Sequence, residues 1–208
     1  PDVAKVLAAL GELGPKPIET LSPVEARKQY SATDAVKKVI KDEKLDVDPH
    51  KGLSVSNSHF ADMGNLRLRY YTPENTGKES NLPVIVYYRG GGWVIADLDT
   101  YDASASAIAR KAKAIVVSVD YPMAPEHKFP AAHDEAIEAY NYVVKPAQCS
   151  GGNPGRIGNA RPSPGRTPAV TARPNKPPPP SRKPACHRDT DPTDAKPDRT
   201  SLRRGRDR

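Results

Sequence analysis

Long apolar runs are missing from this 208-residue chain, and none approaches the ~20 residues that a bilayer-spanning helix needs, so a transmembrane helix is excluded. The opening residues do not read as a secretory signal. Cysteine is scarce. Cys149 and Cys186 permit one bridge at most, which excludes a disulfide-stapled secreted scaffold and favours a reducing compartment, the cytoplasm. Aromatic residues make up 6%, with a single tryptophan. No cofactor and no metal ion are expected, and the composition leaves the oligomeric state open.

What the chain has in excess is proline and positive charge, and both are concentrated at one end. Residues 151–208 hold fourteen basic residues against five Asp, a net of +9, whereas the first 150 hold 18 basic against 20 acidic, a net of −2. Twelve of the 23 prolines lie in the same stretch, including Pro177 to Pro180, and its only large aliphatics are Ile157, Val170 and Leu202. Such a segment cannot bury a core. The composition predicts a disordered, polyproline-rich tail over 158–208 and no fold beyond about Ile157. The abruptness of the change fits a reading frame lost near that residue, which re-sequencing of the DNA checks.

The first 150 residues alternate helix and strand signals, the pattern of an α/β domain. Val3, Val6, Leu7, Leu10 and Leu13 recur at helical spacing, and Ser22, Pro23 and Glu25 supply an N-cap, a first-turn proline and a capping-box partner. A third helix is predicted over roughly Ala35 to Ile40. Leu66, Leu68 and Tyr70 alternate with Arg67, Arg69 and Tyr71, which predicts a half-exposed strand ended by Pro73. Val84 to Tyr88 and Ala114 to Val119 are apolar on both faces, as in strands covered on both sides of a largely parallel sheet. Ala103 to Lys113 is the crossover helix of a right-handed βαβ unit, and Ala131 to Val144 is a second helix.

Directly after the first buried strand stand Arg89, Gly90, Gly91, Gly92 and Trp93. Consecutive glycines reach positive φ and can turn bare N–H groups toward an anion, although the triplet alone is equally consistent with a tight turn. Thirty residues on, the chain reads Ser118-Val119-Asp120-Tyr121-Pro122-Met123-Ala124-Pro125-Glu126-His127-Lys128-Phe129-Pro130-Ala131-Ala132. The two motifs, in this order and at this separation, resemble the His-Gly-Gly-Gly loop and the Asp-Tyr-Arg-Leu-Ala-Pro-Glu-His segment of the hormone-sensitive-lipase-like esterases of the α/β-hydrolase superfamily. The resemblance covers roughly residues 1–157. It implies an incomplete α/β-hydrolase sheet, with residues 1–50 as a helical cap and 51–157 as the N-terminal half of the core. It also implies hydrolysis of short-chain carboxylic esters, small-molecule substrates, by a serine nucleophile. Gly91 and Gly92 then donate to the oxyanion, Gly90 permits the bend, and Trp93 is a candidate to line the acyl pocket unless it merely packs beside the turn. Arg89 departs from the family's histidine, and it either tethers the loop to a carboxylate or disturbs it. Glu126, His127, His133 and Asp134 read as a buttress rather than as catalytic groups.

The family's Gly-x-Ser-x-Gly elbow is not found. Asn153 to Ile157 resemble the approach to it, and counting on from Gly155 puts Ser163 at the serine position. Arg161 stands where the first glycine belongs, and Pro162 and Pro164 flank the serine, a pair that forbids the elbow's geometry and removes a backbone donor. The triad's Asp and His have no apolar frame in the tail, where His187 precedes all five aspartates. The resemblance therefore implies an esterase that is inactive as written. Loss of the elbow strand is expected to leave Val84 to Tyr88 as a bare, aggregation-prone edge. The alternative function is a non-catalytic protein whose tail, with Arg203-Arg204-Gly205-Arg206, binds nucleic acid or a partner. Without aromatic residues to stack on bases, such binding would be unspecific and salt-sensitive.

Overall fold

The computed structural model describes residues 2–60, 66–75, 81–144 and 152–162. Three helices precede the sheet: α1 (Asp2–Leu13), α2 (Pro23–Arg27) and α3 (Ala32–Asp42). Ser22 and Ser31 open α2 and α3 with complete capping boxes closed by Glu25 and Asp34, so the chain's own side chains satisfy the first amides of both helices. Lys5 pairs with Glu43 at 2.7 Å and Lys38 with Glu12 at 3.1 Å, tying α1 to the end and middle of α3. Val3 and Leu7 of the predicted apolar stripe stay exposed, while Ala9 is buried.

Five strands follow: β1 (Leu53–Phe60), β2 (Leu66–Pro73), β3 (Leu82–Tyr88), β4 (Ile115–Val119) and β5 (Gly152–Ala160). Their order in the sheet is β1-β2-β4-β3-β5. The β1–β2 and β2–β4 pairs are antiparallel, and β3 runs parallel to β4 on one side and to β5 on the other. Helix α4 (Asp102–Ala112) connects β3 to β4, and α5 (Ala131–Val144) follows β4.

The two sheet faces carry separate cores, as the double-sided apolar runs predict. Val84, Val86, Tyr88, Val117 and Val119 pack with Leu66, Leu68 and the Ala132, Ala136, Ala139 and Val143 side of α5. Tyr87 and Val116 point the other way, onto Tyr71, Leu53 and the Ala105 and Ala109 side of α4. Asp102, in the first turn of α4, accepts from Tyr71 Oη (2.8 Å) and Arg69 Nη1 (3.1 Å) and lies 2.7 Å from His50 Nε2, which pins the β1–β2 hairpin to that helix. Among the described residues no helix is long and apolar enough to cross a membrane.

Two expectations require correction. The fold does not stop at about Ile157 but continues to Ala160, and β3 is not a bare edge, because β5 pairs with it at Gly152 and, after a register shift, from Ile157 to Ala160. The reason is that a ladder is built by main-chain groups, so Gly158, Asn159 and Ala160 sustain it without aliphatic side chains. Ile157 packs on one core and Ala160 on the other.

Candidate active site

The glycine triplet leaves the C-terminal end of β3, where the sheet's two layers give way to the loops. Gly91 and Gly92 have φ of 114° and 58°, and Trp93 and Ala96 follow at 62° and 70°. A Cβ on Gly91 would overlap the Ile95 carbonyl oxygen, so the position admits only glycine, whereas a Cβ on Gly92 meets open space. The Gly91 carbonyl accepts from the amides of both Val94 and Ile95, each at 3.0 Å, which closes the turn. Among the described residues, the Gly91 and Gly92 amides donate to no other group. Two adjacent unspent donors beside a strand end are what an incoming anionic oxygen requires.

Arg89 lies behind the loop, 3% exposed. Its Nη2 donates to the Tyr121 carbonyl (2.7 Å) and Nη1 to the Ile95 carbonyl (3.3 Å), while Nε lies 3.3 Å from Asp120 Oδ1. Tyr121 returns a hydrogen bond from its hydroxyl to the Arg89 carbonyl (2.7 Å), and the guanidinium sits 4.3 Å from the centre of the Tyr121 ring. Burial raises the Tyr121 hydroxyl above its ordinary pKa, so it remains a donor at neutral pH. The open question about Arg89 is thereby answered: it tethers the loop to a carboxylate and to the segment after β4. On the opposite side, Gly92, Trp93, Ala124, Phe129 and His133 help line an apolar cleft of ≈ 430 Å³. Phe129 is 81% exposed there and meets His133 edge-on at 5.0 Å.

A family model described as alpha/beta hydrolase fold matches residues 85–161. The chain is 48% identical over 101 residues to Carboxylesterase NlhH and 42% identical over 104 residues to Esterase LipI, both of Mycobacterium tuberculosis. Those matches take in 49% and 50% of this chain but 31% and 32% of the relatives. Among solved structures, a hyperthermophilic esterase from Pyrobaculum calidifontis superposes with a TM-score of 0.63 at 29% identity, over 82% of this chain and 52% of that one. The ester-hydrolase EH1AB1 from the metagenome of Lake Arreo does so with a TM-score of 0.60 at 31% identity, over 78% and 49%. Residues 85–161 thus match the α/β-hydrolase fold, and the N-terminal part of the chain is similar to these carboxylesterases. It spans about a third of the length of the curated relatives and about half of the solved ones.

In this hydrolase fold, Gly90, Gly91, Gly92 and Trp93 come together at one strand end, and Trp93 faces the apolar cleft. Ser163 lies outside the described residues, as do Cys149, His187 and the other residues of the predicted tail from 164 onward. The sequence reading missed Arg27 as a partner of the loop. Its Nε donates to the Val94 carbonyl (2.7 Å), Nη2 to the Ala124 carbonyl (2.6 Å), and the two terminal nitrogens to Glu126 Oε1 and Oε2 (2.8 and 2.7 Å). This fork pulls the Glu126 carboxyl down to about 2. No local spacing signals such a contact, because Arg27 stands 67 and 99 residues from Val94 and Glu126.

Proposed function

We propose that this fold serves the hydrolysis of carboxylic esters, small-molecule substrates whose carbonyl oxygen enters the glycine loop. The carrying observation is the pair of unspent amides on Gly91 and Gly92 at the end of β3. When a serine oxygen attacks the ester carbon, the carbonyl electron pair moves onto oxygen, and two fixed N–H groups stabilise that charge more than the neutral carbonyl. Loss of one such donor typically costs about 100-fold or more in turnover. Gly90 permits the bend and Trp93 faces the acyl side. Ser163 is the position-matched nucleophile, but Pro162 and Pro164 bar the elbow, so the chain as written is expected to lack turnover.

Titration of the ¹⁵N-labelled chain with butyrate, a short-chain product anion, tests the donors. The Gly91 and Gly92 amide protons are expected to move downfield together, and unchanged shifts would remove the reading. A fluorophosphonate ester is expected to label no serine, and a label on Ser163 that disappears in Ser163→Ala would show the chain to be active. Nucleic-acid binding by residues 151–208 is proposed to be unspecific, with elution from heparin at moderate salt.

A further inference from the structure

The carbonyls of Trp93, Val94 and Ile95 each have a donor, the first two from outside the loop and the third from its own first residue. Ala124 N donates to Trp93 (2.8 Å), Arg27 Nε to Val94 (2.7 Å) and Arg89 Nη1 to Ile95 (3.3 Å). A peptide unit is planar, so holding a carbonyl also sets the direction of the N–H that follows it. Fixing the Trp93 and Val94 carbonyls therefore aims the Val94 and Ile95 amides, and both of these grip the Gly91 carbonyl at 3.0 Å. The Gly91 carbonyl in turn shares its plane with the Gly92 N–H. The direction of that donor is thus relayed through three peptide planes from the Ala124 amide and the Arg27 guanidinium.

The two arginines differ in origin. Arg89 belongs to the loop itself, but Arg27 is the last residue of α2 in the cap. Arg27 commits four N–H···O contacts, to two carbonyls and one carboxylate, and none of them goes to the cap. It also bridges the Trp93–Ala124 hydrogen bond, taking the next carbonyl on one side and the same residue's carbonyl on the other. A planar fork held at four points has one orientation, and an ammonium could not reproduce it. Thr33 of α3 adds a lesser tie, its hydroxyl donating to the Thr100 carbonyl at 3.0 Å.

We infer that Arg27 is a positioning residue through which the seated cap sets the direction of the Gly92 amide, so that the two donors are aligned only while α2 is docked. The consequence for catalysis rests on the esterase reading, but the coupling itself does not. It is tested by amide exchange on the full chain, with emission from Trp93, the single tryptophan, as a second probe. In Arg27→Ala, the Val94 and Ile95 amides are expected to exchange about tenfold faster or more, and the Trp93 emission to shift red, with β4 amides unchanged. Arg27→Lys is expected to recover only part of the protection. Lys38→Ala, which loosens α3 from α1 without touching the loop, is expected to change neither probe. If Arg27→Ala also releases β4, Glu126→Gln decides, because it keeps both carbonyl bonds and weakens the fork; a twofold to fivefold faster exchange at Val94 and Ile95 is expected. Unchanged loop exchange in Arg27→Ala or in the deciding variant, or full recovery with lysine, overturns the inference. Failure of the butyrate titration would remove the esterase reading and leave this result standing.

Discussion

At the scale of single residues, the loop discriminates between two glycines that look alike in the sequence. Gly91→Ala drives a Cβ into the Ile95 carbonyl at a φ that L side chains avoid, and is expected to lower stability by about 3 kcal/mol or more. Gly92→Ala meets no atom and is expected to cost only about 1 kcal/mol, the ordinary cost of a left-handed alanine. Urea midpoints of the two variants check the contrast. Arg89→Met would leave the Tyr121 and Ile95 carbonyls and Asp120 without their buried cation, and is expected to cost about 2–4 kcal/mol by the same measurement. The triplet was legible because glycine runs have a backbone meaning of their own. The role of Arg89 was half legible, since a buried cation demands a carboxylate but the sequence does not say which. Glu126 was legible as a buttress, but its pairing with Arg27 was not, because a contact across 99 residues leaves no local pattern.

At the scale of elements, the helices that cross the sheet begin and end within a residue or so of where periodicity predicts, since α4 and α5 each bury one apolar side. β3 and β4 were legible from their aliphatic runs. β1 was not: its serines, Asn57 and His59 give no clean alternation, and only Leu53 of its side chains is fully buried. The far end of β5 escaped notice for the related reason that Gly158 and Asn159 pair by backbone alone. Helix α5 carries a titration that pattern reading cannot see. Burial, with Glu138 and Asp120 nearby, pushes the Glu135 carboxyl up to about 7 from the ordinary 4.5. The folded chain therefore holds a proton that the unfolded chain has released between those values. Stability is expected to fall as pH rises from about 4.5 to about 7 and to level off above it. Urea midpoints across that range should show the slope, and Glu135→Gln should flatten it. Leu68→Ala, at a fully buried position on the α5 face, is expected to cost about 2–5 kcal/mol.

At the scale of the whole molecule, the charge is divided between a nearly neutral fold and a strongly basic end, which the sequence alone displays. The sheet's outer edge is a different matter. An unprotected β3 would present Val84 to Tyr88 as a template for other chains, but β5 takes that place and turns outward a strand with one aliphatic residue. A chain ended at residue 162 is expected to stay monomeric by light scattering, and one ended at residue 151 to aggregate with rising concentration. The strand order has a further consequence, in time rather than in space. Both neighbours of β3 are encoded after it, β5 being completed 72 residues beyond Tyr88. At about 5–20 residues per second of synthesis, the nascent strand waits roughly 4 to 14 seconds for its second partner. Through that interval on the ribosome, an apolar strand of the core has one flank open to chaperones or to a neighbouring nascent chain.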